Sequence, residues 1–375
     1  MARGKCSTCG RPAVTLVRYS GAHLCKAHFT DFIEGKVGRE FRRQVRLGDR
    51  AIVAVALSGG KDSVVALRIL HGLLSPRRGT RMVAITVDEG VGGYRPAAIK
   101  IAARNCKQIG VEHRIVSFKE QFGVTMDSSK GAWGTKTPCT YCGVLRRHCL
   151  NMEARRSGAD FLATGLNLDD TAQSILMNIC RGDVARLARL GPHGQKRAQD
   201  GLVPRIQPLR QLTDKETFLY ATLKGFPVHH SVCPYAGDAM RNRFRDIVQG
   251  LEMASPGTRF CILNSYDGIR KWLEPHYPPA GLLACVSCGE PSMDGLCEAC
   301  KLVKLLKRQS EPAAGSRDGR SAVGSRVMTD DDCGSRQPGV GTIAGNGFVH
   351  TDSRLPTPDC LLPNSNIIIP ARCSL

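Results

Sequence analysis

The sequence predicts an α/β architecture: a parallel sheet flanked by helices, with a small metal-binding module on either side of it in the chain. Three observations carry that expectation. Apolar strand-like runs alternate with helical stretches from Ala51 to Cys180; Cys6-x2-Cys9 is followed by Cys25-x2-His28; and Cys285-x2-Cys288 is followed by Cys297-x2-Cys300. Alternation favours a parallel sheet because each parallel connection must return across the sheet, which a helix does.

The elements follow in order. Ala51–Leu57 is a short β-branched run closing in a Gly-containing turn, and Ser63–Leu74 then has helical periodicity. Met82–Asp88, Glu112–Ser117 and Phe161–Gly165 are further strands, interleaved with helices over Arg95–Gln108, Cys142–Arg156 and Asp169–Cys180. A Gly, Pro and basic stretch from Arg181 to Arg210 precedes a helix over Thr213–Lys224 that opens with the capping-box pattern Thr213-x-x-Glu216. Another helix covers Ala239–Met253. Before the sheet, Arg39, Arg42, Arg43, Arg46 and Arg50 recur at intervals that predict a helix with one charged face. The expected organisation is a zinc module over 1–35, a catalytic domain over 36–280, a zinc ribbon over 281–310 and a disordered tail over 311–375. That tail is rich in Gly, Ser, Pro and Asp without periodicity.

Of 375 residues, 42% are hydrophobic, enough for a real core and too many for a disordered chain. Lys and Arg number 53 against 33 Asp and Glu, a formal charge of +20. The tail holds six basic and seven acidic residues, so the excess belongs to the folded part. A field of that sign attracts polyanions, nucleic acid first among them. No apolar run approaches the roughly 18 to 20 residues that span a bilayer, and the N-terminus lacks a hydrophobic signal region. A soluble, cytoplasmic protein without a membrane partner is expected, and in a reducing compartment its 17 cysteines point to metal or sulfur chemistry.

Cys6, Cys9, Cys25 and His28 satisfy tetrahedral ligation of Zn²⁺, as do Cys285, Cys288, Cys297 and Cys300. Four protein ligands leave no open position, so both sites are expected to be structural. Cys106, Cys149, Cys180 and Cys261 lie in apolar or helical stretches and are expected in the core.

Ser58-Gly59-Gly60-Lys61-Asp62-Ser63 stands between a strand and a helix. Its glycines let backbone amides turn inward, the helix N-terminus adds partial positive charge, and Ser58 and Ser63 add hydroxyl donors, a combination suited to phosphate. Its spacing differs from the GxxxxGKS/T loop of common nucleotide hydrolases. Cys139-x2-Cys142 at a helix start and the distant Cys233 admit two readings: a three-thiolate metal site, or a redox pair with Cys233 as persulfide nucleophile. Asp169 and Asp170 either cap the next helix or take part in chemistry. Arg146 and Arg147 suit a solvated face or phosphate contacts. Arg241, Arg243 and Arg245 around Phe244 add a local basic cluster.

The hexapeptide resembles the signature of the PP-loop ATP pyrophosphatases. Together with Val87-Asp88-Glu89-Gly90, Gly93-Tyr94-Arg95, Pro138-Cys139-Thr140-Tyr141-Cys142-Gly143 and Gly165-Leu166-Asn167-Leu168-Asp169-Asp170, it makes the chain similar to the tRNA 2-thiouridine synthetases from Cys6 to about Arg308. These comprise the TtuA-type enzymes and the cytosolic thiouridylase subunit acting at the wobble uridine. Leu166 departs from the family, which commonly has His there. The resemblance implies a parallel-sheet PP-loop (HUP-like) fold that binds ATP at Ala56, Leu57, Ser58, Gly59, Gly60, Lys61, Asp62, Ser63, Thr86, Gly165 and Asp170. It implies Asp170, Arg146 and Cys233 as catalytic residues, with Asp170 either holding Mg²⁺ or assisting proton transfer. It favours a 4Fe-4S cluster on Cys139, Cys142 and Cys233 whose open iron holds sulfur. The implied reaction adenylates the C2 oxygen of a tRNA uridine, at the wobble position or in the T-loop, and replaces it with sulfur. The partners would be tRNA, a ubiquitin-like sulfur carrier and a second copy in a homodimer. The alternatives are 2-thiocytidine synthesis and a non-catalytic zinc-ribbon RNA-binding protein.

Overall fold

In the N-terminal module the hairpin β1 (Thr15–Val17) and β2 (Ala22–Leu24) leads directly into α1 (Lys26–Gln44). A computed structural model describes residues 4–193, 201–237, 240–277 and 281–310. The expected disordered tail over 311–375 lies outside the described residues. Helix α1 starts earlier than its basic run predicts, because the helix is specified by a stripe of Phe29, Ile33, Val37 and Phe41 on its buried side. Arg46 and Arg50 fall beyond its end.

The alternating segment forms β3 (Ala51–Ala56), α2 (Lys61–Leu74), β4 (Thr80–Asp88), α3 (Arg95–Ile109), β5 (Glu112–Ser117), α4 (Phe118–Phe122), α5 (Pro138–Arg156), β6 (Phe161–Ala163) and α6 (Leu168–Cys180). Helix α5 begins at Pro138, whose fixed φ and missing N–H suit a first helical position, so Cys139 and Cys142 share its opening turn. There follow α7 (Val184–Ala188), β7 (Arg205–Ile206), α8 (Asp214–Lys224), α9 (Met240–Ala254) and α10 (Thr258–Leu273). The chain continues through β8 (Leu283–Ala284), β9 (Pro291–Ser292) and α11 (Glu298–Ser310). The Thr213–Glu216 capping box forms at the start of α8.

The central sheet runs β5-β4-β3-β6-β7, with every pairing parallel. The chain steps outward from β3 to β5, then returns to place β6 on the other side of β3. This reversal leaves a crevice beyond the carboxyl ends of β3 and β6, where ligands of such sheets bind. Both faces of the sheet are covered. Val83, Ile85 and Val87 pack with α5 and α11 on one side, whereas Val53, Val55 and Ala84 pack with α2 and α3 on the other.

The two cysteine modules extend these cores. Ile33 and Val37 of α1 pack with Val65 and Ile69 of α2 and Tyr220 of α8. Lys36 Nζ lies 4.9 Å from the Tyr19 ring centroid, 5.0 Å from those of Phe32 and Phe260, and 3.7 Å from a Glu216 oxygen. Cys285, Cys297, Leu302 and Leu306 join Leu145, Cys149 and Met152 of α5.

Some expectations require correction. Cys106 and Cys149 are buried, but Cys180 and Cys261 are exposed: Cys180 ends α6, and α10 turns Arg259, Leu263 and Tyr266 inward instead. Arg210, the last residue of the Gly, Pro and basic stretch, is not on a basic surface but fully buried in a two-pronged hydrogen bond to Asp267 at 2.7 and 2.6 Å. Replacing Ile33, fully buried in α1, with Ala should cost about 2 to 5 kcal/mol of unfolding free energy in urea titrations. An unchanged midpoint would mean that α1 is not part of the main core.

Candidate active site

The phosphate loop leaves β3 through Ala56 and the buried Leu57, crosses Ser58–Gly60 and enters α2 at Lys61. Its shape is held from within. Ser58 N–H donates to Ser63 Oγ at 3.1 Å, and Ser63 Oγ donates to the Gly60 carbonyl at 2.9 Å. From below, the buried Thr86 donates to the Leu57 carbonyl at 2.6 Å, so Thr86 braces the loop through its side chain. Gly59 has φ 87°, and a Cβ there would stand 2.4 Å from the Ala98 carbonyl oxygen. Gly165, just beyond β6, would press a Cβ to 2.8 Å from Ser63 N. Both glycines are required by close backbone approach at the crevice.

Charged groups around the start of α2 are cross-linked. Burial alone would lower the Lys61 pKa, but Asp62 at 2.7 Å and Asp214 at 2.5 Å raise it. Asp62 also accepts from Thr217 Oγ1 at 2.6 Å and Asn167 Nδ2 at 3.2 Å. At the start of α6, Asn167 and Asp170 form a reciprocal capping box. Asp169 accepts from the Asp214 N–H at 2.9 Å and pairs with Arg259 Nε at 3.0 Å, tying α6 to α8 and α10. Burial raises the Asp170 pKa against the opposing charge of Arg241, whose guanidinium lies 3.3 Å away. Asp170 is thus both a helix cap and a carboxylate held beside the loop.

Cys139, Cys142 and Cys233 line one cleft of about 330 Å³ together with Ser58 and Arg146. The segment carrying Cys233 is held to the phosphate loop by the His229 N–H, which donates to the Gly59 carbonyl at 2.9 Å. Cys139 Sγ contacts the Tyr235 carbonyl at 3.5 Å, and Cys142 Sγ accepts from Arg146 Nη2 at 3.0 Å. Burial raises both thiols. Arg146 is about half exposed, with its Nε 2.8 Å from Glu89 Oε1. The opposite oxygen of Glu89 lies 2.8 Å from Arg95 Nε, and Arg95 donates to the Ser58 carbonyl at 3.1 Å. Glu89 and Arg95 stand in short motifs visible in the sequence, but their pairing with Arg146 crosses three elements and has no sequence signal of its own. The same holds for Asp214, Thr217 and Arg241.

The cysteine modules have a different geometry. In each quartet, Cys6, Cys9, Cys25 and His28, or Cys285, Cys288, Cys297 and Cys300, the ligand atoms lie within 4.8 Å of one another. Cys9 and Cys25 are 3.7 Å apart, and Cys288 and Cys297 are 3.6 Å apart. A tetrahedral ion with bonds of about 2.3 Å requires sulfur separations of about 3.8 Å, so the donor sets fit one zinc ion each. Burial pushes the Cys6 and Cys285 thiols up, but hydrogen bonds from the surrounding backbone prevail and hold them at about 5 and about 6. Cys139, Cys142 and Cys233 are not among the groups that converge this tightly. Three thiols spread around a cleft suit a multi-iron cluster, in which each would take a different iron.

A phosphate loop at the switch point of a parallel sheet, facing three thiols, defines a nucleotide-dependent enzyme of the PP-loop class. The PP-loop domain model matches residues 33–249, and that of the 2-thiouridine synthetase TtuA N-terminal LIM domain matches residues 5–30. The chain belongs to the PP-loop tRNA 2-thiolation family of sulfurtransferases. It is 35% identical over 322 residues to the tRNA 2-thiolation protein NcsA of Haloferax volcanii, covering 81% of this chain and 99% of that protein. It is 37% identical over 310 residues to the cytoplasmic tRNA 2-thiolation protein 1 of Bos taurus, covering 81% and 88%. The U34-tRNA thiolase NcsA from Methanococcus maripaludis, solved with its 4Fe-4S cluster, superposes with a TM-score of 0.69 at 33% identity, covering 82% of this chain and 97% of that one.

The two loop glycines should respond differently to substitution. Gly59→Ala should weaken ATP binding about fivefold to 150-fold in calorimetric titration, because strain at a positive φ costs on the order of 1 to 3 kcal/mol. Gly60→Ala, whose Cβ would meet only Ser58 Oγ at 3.4 Å, should stay within about threefold. Equal losses would overturn the close-approach argument.

Proposed function

We propose that this chain adenylates the C2 oxygen of a tRNA uridine and replaces that oxygen with sulfur. The observation that carries this reading is the shared cleft: Ser58 of the phosphate loop and Cys139, Cys142 and Cys233 line one cavity. An activated oxygen and its replacing atom must meet at the same carbon, so the two chemistries have to be neighbours.

The residues then take the following roles. Ala56, Leu57, Ser58, Gly59, Gly60, Lys61, Asp62 and Ser63 surround the phosphates of ATP, with backbone amides and the N-terminus of α2 facing the negative charge. Thr86 and Gly165 keep that loop in shape. The uridine C2 oxygen attacks the α-phosphorus, an O–P bond forms, and the bond to pyrophosphate breaks. Arg146 stabilises charge developing on the α-phosphoryl oxygens as a fixed cation in a partly enclosed site. Asp170 is placed to hold Mg²⁺ against the polyphosphate. Sulfur then adds at C2, and AMP departs with the original oxygen. Cys139, Cys142 and Cys233 would hold a 4Fe-4S cluster, which when bound supplies one iron without a protein ligand for exogenous sulfur.

The proposed division is a zinc module over 1–35, a catalytic domain over 36–280 and a zinc ribbon over 281–310, each module holding one Zn²⁺. The formal charge of +20 supports tRNA as the polyanion, bound chiefly through its phosphates. A ubiquitin-like carrier supplies the sulfur, and the working state is a homodimer. Among the described residues no helix is long and apolar enough to cross a membrane. Similarity to the cytoplasmic tRNA 2-thiolation protein 1 of Bos taurus supports a cytoplasmic location.

Cys233→Ala should abolish thiolation, read by mass analysis of tRNA nucleosides, while ATP affinity stays within about threefold. Full activity in that variant would remove Cys233 from the mechanism, and thiocytidine in place of thiouridine would overturn the substrate. Purified without oxygen, the full chain should carry about four iron and about two zinc atoms, and should convert labelled ATP to AMP only with tRNA present. A colourless, zinc-only, active protein would replace the cluster with persulfide chemistry, and failure to consume ATP would leave an RNA binder.

A further inference from the structure

Glu89 lies in the short motif Asp88-Glu89-Gly90 at the end of β4, and none of the roles above uses it. It is buried at 3% exposure, and so is Arg95. Its two oxygens face two different arginines, Arg146 Nε at 2.8 Å on one side and Arg95 Nε at 2.8 Å on the other. Each arginine is anchored again at its far side. Arg95 donates to the carbonyls of Ser58, at 3.1 Å, and of Val87, while Arg146 donates from Nη2 to Cys142 Sγ at 3.0 Å. A continuous chain of contacts therefore runs from the phosphate loop through Arg95, Glu89 and Arg146 to a cysteine of the sulfur site.

The arrangement is costly unless it fixes something. Burying a carboxylate between guanidinium groups carries a desolvation penalty that a well-packed apolar residue would avoid. What the carboxylate accomplishes is geometric. Arg146 is about half exposed and rises from α5 beside thiols that become anionic when they bind metal. Without a competing anion, a flexible guanidinium there would collapse onto the thiolates. Glu89 holds Nε while Cys142 holds Nη2, so the guanidinium plane is defined from two directions and tied to the loop that carries the nucleotide.

We propose that Glu89 is the positioning residue that sets Arg146 for phosphoryl activation and registers the phosphate loop against the sulfur site. This inference rests on the role given to Arg146 above. It predicts that Glu89 acts through Arg146, so removing both should cost no more than removing Arg146 alone.

The test uses the full chain, reconstituted without oxygen, as Glu89→Gln, Arg146→Met and the double variant. Glu89→Gln should slow single-turnover thiolation roughly 100-fold, the cost of misplacing a reacting group by about an ångström, with ATP and tRNA affinities within about threefold. The double variant should be no slower than Arg146→Met. A second measurement is the midpoint potential of the bound cluster. Arg146→Met should lower it, through loss of a cation and of the hydrogen bond to Cys142 sulfur. Glu89→Gln, which removes a negative charge and frees the guanidinium to close on that sulfur, should raise it, and a lowered potential in Glu89→Gln would overturn the proposal. If Glu89→Gln does not fold, judged by thermal unfolding, Glu89→Asp keeps the charge one methylene shorter and should fold with an intermediate rate. Wild-type turnover in Glu89→Gln, or losses that multiply in the double variant, would overturn the proposal. Full turnover in Arg146→Met would overturn the Arg146 reading and this one with it.

Discussion

The site depends on how closely backbone can approach backbone at the carboxyl ends of β3 and β6. Gly59 passes against the Ala98 carbonyl and Gly165 against Ser63 N, both nearer than any side chain allows. These contacts draw the start of α2 and the start of α6 to the same crevice, so the phosphate loop and Asp170 face one space. The reversal of strand order around β3 creates that space, and the two glycines keep it open. The cross-links from Lys61 to Asp62 and Asp214, and from Asp169 to Arg259, then hold α8 and α10 around it.

Helix α5 joins the chemistry to the C-terminal module. Its first turn carries Cys139 and Cys142, and Arg146 follows one turn later. Further along, His148 Nδ1 lies 4.0 Å from Cys297 Sγ, Asn151 donates to Glu290 at 2.8 Å, and Arg155 pairs with Glu290 at 2.8 Å. One rigid element thus touches both the sulfur cleft and a cysteine quartet. The N-terminal module is docked equally firmly, since Lys36 sits among three aromatic rings beside Glu216. Neither module is a loosely tethered appendage. Each buries apolar surface shared with the sheet's own helices.

Much of this was legible beforehand. Strands β3 to β6 and helices α2, α3, α5 and α6 are specified by apolar periodicity, which is local, and their observed limits differ from the expected ones by a few residues, whereas the two-residue β7, inside the Gly, Pro and basic stretch, has no such pattern. The cysteine quartets were legible because tetrahedral ligation by short loops demands fixed spacing. The start of α1 was hidden because its polar face dominates the composition, and α10 was missed because its inward side includes the charged Arg259. Cys180 and Cys261 were misplaced for a related reason: a helical position has no inside until the helix is docked.

The sequence by itself determined the alternating α/β pattern, the phosphate turn and the two cysteine quartets, since each is set by residues within a few turns of one another. Tertiary structure decided the rest. It brought Cys233, some ninety residues further along the chain, into the cleft of Cys139 and Cys142. It paired Glu89 with arginines on two different helices, and it withdrew Arg210 from the basic surface into a buried contact with Asp267. These are partnerships between charges and thiols on separate elements. Their energies depend on distance and burial, which exist only once the helices have packed on the sheet.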